Sequence, residues 1–232
     1  MGGGNSPKTA NSSLKYGWWQ TSSKDKQGGF IGGELGFSNG WIGQNSIEYI
    51  IGGDSTFVPH INMIGGYQWY FLDKPWLHLG LRLKGYLGYS NYSVDNSHHL
   101  SNITSHTIHT GIEVGAIYDF VQYKEHTLGV YIAPIGFELS ALFGNVTINN
   151  NGNIINKTFS LTPYVTFTYK YSMGLHYYYN VNHMVFLGYQ VNWSYGGSND
   201  KYNGNISLDN LKSMGFQAHH FHSFMIGYAY KF

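Results

Sequence analysis

Apolar and polar positions alternate with a period of two over several stretches of about ten residues or more, the period of a strand whose two faces meet different surroundings. Val185, Leu187, Tyr189, Val191 and Trp193 interleave with Met184, Phe186, Gly188, Gln190, Asn192 and Ser194. Leu77, Leu79, Leu81 and Leu83 interleave in the same way with His78, Gly80, Arg82 and Lys84. The pattern predicts strands at 28–38, 57–71, 76–90, 106–121, 127–144, 160–179, 184–196 and 216–232. A soluble sheet turns its leucines inward and its charges outward, whereas a small membrane barrel inverts this. Periodicity alone does not say which face is which.

The gaps between strands alternate in length. Those at 72–75, 122–126 and 180–183 are short, and those at 39–56, 91–105, 145–159 and 197–215 are long and rich in Asn, Ser and Gly. Short periplasmic turns alternating with longer extracellular loops are the organisation of an outer-membrane barrel. The expected fold is therefore all-β, a transmembrane antiparallel up-and-down β-barrel of eight strands. Ten strands stay open, because the segment around Tyr16-Gly17-Trp18-Trp19 could pair with 40–52. Residues 1–27 are expected to form an N-terminal extension and 28–232 the barrel. The start, Met1-Gly2-Gly3-Gly4-Asn5-Ser6-Pro7, has none of the basic and apolar regions of a signal peptide. It reads as a partly non-native beginning on a mature, exported chain, which places the protein in the cell outer membrane.

An even strand number puts both chain ends on the periplasmic side. The last strand then reads outward as Phe224, Ile226, Tyr228, Tyr230 and Phe232, and inward as Ser223, Met225, Gly227, Ala229 and Lys231. A chain closing on alternating aromatics is similar to the assembly signal of outer-membrane barrels.

Composition sharpens the choice. Only 11% of residues are charged against 18% aromatic, with 31 glycines and 21 tyrosines, whereas soluble domains carry about a quarter charged residues. No run approaches the roughly 18 apolar residues of a transmembrane helix, and a closed barrel is the other route by which backbone polar groups cross a bilayer satisfied. There is no cysteine, hence no disulfide and no thiolate chemistry, and the net charge of +1 with no Lys/Arg cluster gives no case for nucleic acid.

Short glycine–aromatic motifs carry a family likeness. Gly29-Phe30-Ile31-Gly32-Gly33-Glu34-Leu35-Gly36-Phe37, Gly65-Gly66-Tyr67-Gln68-Trp69-Tyr70-Phe71, Gly80-Leu81-Arg82-Leu83-Lys84-Gly85-Tyr86-Leu87-Gly88-Tyr89 and Gly111-Ile112-Glu113-Val114-Gly115-Ala116-Ile117-Tyr118-Asp119-Phe120 resemble the barrel domain of the Helicobacter outer-membrane protein family. The resemblance runs over most of 28–232 and implies porin-like permeation or adhesion to host surfaces. Adhesins of that family usually carry a large extracellular domain, for which this chain has no room, so no binding residue transfers.

If the large apolar residues face lipid, the opposite positions define a lumen holding Glu34, His78, Arg82, Lys84, His109, Glu113, Asp119, Glu138, Lys170, His176 and Lys231. Glu138 joins only through a bulge near Pro134, where the apolar positions switch parity. Enclosed charges of both signs must pair. The network Glu34, Arg82, Lys84, Glu113, Asp119, Glu138, Lys170, His176 and Lys231 reads as a polar plug, or as a gate in which Arg82 or Lys84 exchanges carboxylates. Eight strands leave room for side chains and not for a wide pore.

Twelve histidines raise the question of a metal, above all His98-His99 and His219-His220 with His222. His220 and His222 share a strand face, but two imidazoles make an incomplete site, so neither metal nor cofactor is expected. His222 beside Ser223 points to the opposite face, and no catalytic residue is assigned. Four sequons, Asn102-Ile103-Thr104, Asn145-Val146-Thr147, Asn156-Lys157-Thr158 and Asn205-Ile206-Ser207, all fall in expected loops. Trp18, Trp19, Trp69, Trp76 and Trp193 with the tyrosines are expected in aromatic belts, Tyr177, Tyr179, Trp69 and Phe71 on the periplasmic side. The reading is a non-enzymatic barrel with a sealed lumen and a structural or surface-binding role. A narrow porin is the alternative and a lipid A-modifying enzyme the third. Expected partners are outer-membrane lipid and lipopolysaccharide, the barrel assembly machinery, and a host-surface ligand met through the loops.

Overall fold

The computed structural model describes residues 23–43, 56–74, 77–96, 101–148, 157–160, 164–195 and 217–232. A 3₁₀ turn, Ser23–Lys26, precedes β1 (Gly28–Gly43), β2 (Thr56–Lys74), β3 (Leu77–Asn96), β4 (Ser101–Tyr123), β5 (His126–Ile148), β6 (Lys157–Ser160), β7 (Tyr164–Tyr179), β8 (His183–Tyr195) and β9 (Gln217–Lys231). β6 continues the ladder of β7 on the same side of β5: Leu142 pairs with Tyr164, and Asn145 with Ser160. The two are one stave either side of 161–163. All pairings are antiparallel, and the order β4-β3-β2-β1-β9-β8-β7-β5 closes on itself through β4 and β5. The result is an eight-stave up-and-down barrel. The ten-strand alternative is overturned, because every stave already has two neighbours and β1 pairs β9 directly. Gly40–Gly43 simply prolongs β1, while 16–19 and 44–52 lie outside the described residues.

Closure fixes the dimensions. Stepping across paired residues from Tyr89 leads through Ile61, Leu35, Ile226, Leu187, Leu175, Val130 and Tyr118 and returns to β3 at Leu79. The shear is therefore ten residues, from 89 to 79. With about 3.3 Å per residue and about 4.8 Å between strands, the staves tilt by about 41° and the backbone radius is about 8 Å.

That same circuit is an unbroken ridge of outward apolar side chains. Ile61, Leu35 and Leu187 are each more than half exposed, while Glu34, Arg82 and Glu113 on the alternate positions are buried. The inverted polarity answers what periodicity left open: leucines face outward and charges inward. One turn of the ridge climbs ten residues, about 25 Å along the axis, which matches the height of a lipid-facing band.

Staves run further on the loop side than expected. β3 and β4 stay paired to Asn96 and Ser101, leaving only 97–100 where 91–105 was expected to be loop. The sequons at Asn102 and Asn145 accordingly lie in β4 and β5, and Lys157-Thr158 of the third lies in β6, rather than in loops. A spanning strand needs about 9–11 residues, and β4 and β5 have 23 each, so the wall stands well above the lipid-facing band. The expected bulge near Pro134 is present, as a register shift between Ala133 and Gly136. At the other end the turns are tight, with Lys124, Asn180 and Val181 all at positive φ (53°, 50° and 51°).

Candidate functional site

The nine residues of the expected charge network, Glu34, Arg82, Lys84, Glu113, Asp119, Glu138, Lys170, His176 and Lys231, are all buried, as are His78 and His109, and they sort into tiers instead of one network. In the middle tier Lys84 Nζ lies 3.2 Å from both Glu34 and Glu113. The remaining carboxylate capacity is filled by the Asn62 side-chain amide on Glu34 (2.6 Å) and the Ser172 hydroxyl on Glu113 (3.0 Å). Lys84 and Glu113 are direct cross-strand partners, whereas Glu34 reaches the same ammonium from two staves away. Towards the loops Lys170 pairs with Glu138, which also accepts from Tyr86 (2.9 Å) and Ser140 (2.7 Å).

Arg82 stands apart. It donates to the Tyr178 hydroxyl and the Met184 sulfur, both at 3.2 Å. Its guanidinium lies 5.9 Å from the Phe30 ring and 5.6 Å from the Tyr131 ring, and it has no carboxylate partner among the described residues. Its Nε and the Tyr131 hydroxyl are both buried without a partner.

Large lumen side chains are admitted by glycines one or two staves away. A Cβ at Gly227 would lie 2.1 Å from the Phe186 ring, and one at Gly188 would lie 2.3 Å from the Tyr131 hydroxyl. Side chains so seated reach into the bore. Among the described residues the spaces between them include one of about 20 Å³ beside Arg82 and Tyr131 and one of about 30 Å³ between Ser38, His60, Asn62, His109, Glu138 and Lys170. Each has room for about one or two waters. Above them Ser38 bonds Ser223 (2.7 Å) and His60 (3.2 Å), and His109 bonds Asn62 (2.6 Å).

At the turn side Asp119 gathers His176 at 2.7 Å, the Tyr70 hydroxyl at 3.2 Å and Lys26 at 3.1 Å. Lys26 was not expected there, since the sequence places it in the N-terminal extension. Its burial pulls the ammonium below the ordinary lysine range, against the attraction of Asp119. Lys231 makes no ion pair among the described residues but donates to the Asp25 and Gln27 carbonyls (2.5 and 3.3 Å). His78 bonds Asp73 at 2.6 Å.

Two outward belts bound the apolar band. On the turn side Tyr177, His126, Tyr179, His183, Tyr228 and Tyr230 form a continuous row across β7, β5, β8 and β9, with Trp69 and Phe71 exposed on β2. On the loop side Tyr89 bonds His106 and Tyr189 bonds His222, each at 2.6 Å, and Tyr169 stacks on Trp193. Trp18, Trp19 and Trp76 lie outside the described residues. His106, His126 and His183 of the belts escaped notice in the sequence, although His183 shares the outward parity of Val185 and Leu187. His222 is exposed and Ser223 buried on the opposite face. The backbone register slips between His222 and His220. His98 and His99 lie outside the described residues.

Fold and polarity define the class: a small membrane-spanning β-barrel whose inward face is polar and charged. Similar solved structures are of this kind. Ail, the attachment invasion locus protein of Yersinia pestis, in complex with the heparin analogue sucrose octasulfate, is 12% identical over 88% of this chain and 99% of its own, at a TM-score of 0.43. Neisserial surface protein A is 15% identical over 88% and 97%, at 0.40. The N-terminal β-barrel domain of Pseudomonas aeruginosa OprF is 13% identical over 89% and 99%, at 0.36. The likeness is one of general architecture. No protein-family model matches the chain, and no curated protein matches it significantly.

Proposed function

We propose that the chain is a non-catalytic protein of the bacterial outer membrane whose lumen is closed and whose working surface is its loop-side rim. One observation carries this reading: ion pairs and glycine-seated aromatics occupy the bore from Asp119 to Ser223, leaving spaces of about 20 and 30 Å³. A solute path would have to displace paired buried charges, at several kcal/mol each. The wall raised above the band by β3, β4 and β5 offers the rim on which a surface ligand is met, an adhesion-like role. The glycine–aromatic likeness to the Helicobacter outer-membrane family supports the outer-membrane location and is common to the adhesion-like and porin readings. The partners are outer-membrane lipid and lipopolysaccharide at the belts and the assembly machinery at the closing β9 strand.

A second reading, a narrow porin, is favoured by Arg82, a buried cation with no carboxylate partner among the described residues that could exchange partners with Lys84 at Glu113. Conductance of purified barrel in a planar bilayer separates the two. A closed lumen gives a baseline without discrete steps in moderate salt, and reproducible steps abolished by Arg82→Met establish the porin.

A further inference from the structure

The turn-side mouth of the lumen is closed by a residue from outside the barrel wall. Lys26 and Asp119 both have fully buried side chains, with 3.1 Å between ammonium and carboxylate. The same ammonium donates to the Thr127 hydroxyl at 3.3 Å and lies 5.7 Å from the centre of the Tyr70 ring. A carboxylate, a hydroxyl acceptor and an aromatic face together are a complementary surround for a primary ammonium. The cradle is itself held in place: His176 and the Tyr70 hydroxyl both bond the other oxygen of Asp119.

The backbone carrying Lys26 is gripped as well. The Gln68 side-chain amide donates to the Lys26 carbonyl, and the Lys231 ammonium donates to the carbonyls of Asp25 and Gln27. The Tyr178 hydroxyl donates in turn to Gln68 at 2.7 Å. The groups that build the cradle and hold the turn stand on β2, β4, β5, β7 and β9, five of the eight staves.

We propose that this mouth is a primary-ammonium site to which the chain supplies its own occupant: residues 23–27 are a tethered stopper, Lys26 is its key, and the vacated cradle takes a small primary alkylamine. Lys26→Ala removes three methylenes and the ammonium, the size of n-propylamine. Tetramethylammonium carries the charge but has no N–H for Asp119 or Thr127.

The first test needs no variant. Native barrel in detergent micelles is acylated with an amine-reactive ester and each lysine is followed by mass spectrometry. Lys26 is expected to react at least tenfold more slowly than the exposed Lys24 until the barrel is boiled in SDS; equal rates overturn the proposal. In Asp119→Asn the acylation of Lys26 rises towards that of Lys24 while the folded band persists on SDS gels, and continued protection overturns the ion pair as the lock. In Lys26→Ala, n-propylamine raises the temperature of the SDS gel transition and tetramethylammonium does not. Equal effects of the two cations refute the ammonium site. If Lys26→Ala does not fold, the wild-type rates alone decide.

Discussion

Lys84→Met separates a dry lumen from a watery one. Lys84 is the sole cation within ion-pair distance of Glu34 and Glu113 among the described residues, at 3.2 Å from each, and all three side chains are no more than 8% exposed. Methionine keeps the length of the side chain, so what is lost is the ammonium, with its two ion pairs and its approach to the Phe186 and Tyr86 rings. Removing one partner of a buried pair costs about 3–5 kcal/mol because the other charge is left without compensation. Here two carboxylates are left, each keeping one neutral donor, Asn62 or Ser172, so a loss of about 3–5 kcal/mol is expected rather than twice that. Reversible urea unfolding in lipid vesicles, followed by tryptophan fluorescence, measures it. Adding Glu34→Gln and Glu113→Gln to Lys84→Met should recover most of the loss, since amides need no counter-ion. Solvated ion pairs are worth about 0–1 kcal/mol. A cost below about 1 kcal/mol for Lys84→Met would therefore refute the closed lumen.

Other perturbations probe other parts of the barrel. Leu187→Arg, on the outward ridge at mid-height, should cost about 2–4 kcal/mol in the same unfolding assay, while Glu125→Arg in the exposed turn between β4 and β5 should cost little. Gly227→Ala places a methyl against the Phe186 ring and should cost about 1–3 kcal/mol, with Phe186→Leu restoring much of it in the double variant. Val181 holds a β-branched side chain at φ 51°, so Val181→Asn should stabilise by about 1 kcal/mol, seen as a higher temperature for the SDS gel transition; no gain would show the turn to be relaxed. Removing the Tyr189 hydroxyl with Phe should cost under about 1 kcal/mol, because that belt pair is exposed.

The staves between the belts were legible because lipid on one side and packed polar side chains on the other impose the strongest two-faced contrast a strand can carry. Leu77 to Lys84 and Val185 to Trp193 follow it residue by residue, and the parity switch at Pro134 located a bulge. Above the band the contrast disappears. Around Asn91-Tyr92-Ser93 and Asn102-Ile103-Thr104 polar residues recur on both parities, and backbone pairing there leaves no periodic trace. Membership of the lumen could be read from parity, but partners could not. Glu34 meets Lys84 across two staves because of how far the ladder has shifted by that point, a property of the closed ring and not of either segment. Lys26 was missed for the same reason, since nothing in Ser23-Lys24-Asp25-Lys26 says that a ring will close around it.

The shear of ten has a consequence for how such a seal can fail. Barrel width is set by whole numbers: for eight strands, slipping the register by two residues raises the radius from about 8.3 to about 9.0 Å, roughly a fifth more cross-section. There is no intermediate circumference to which a loosening wall could relax while keeping its inward faces inward, because a slip of one turns every side chain of a stave over. Tightness is therefore a counted property, and the notches that Gly188 and Gly227 cut for Tyr131 and Phe186 act as the teeth that keep the count.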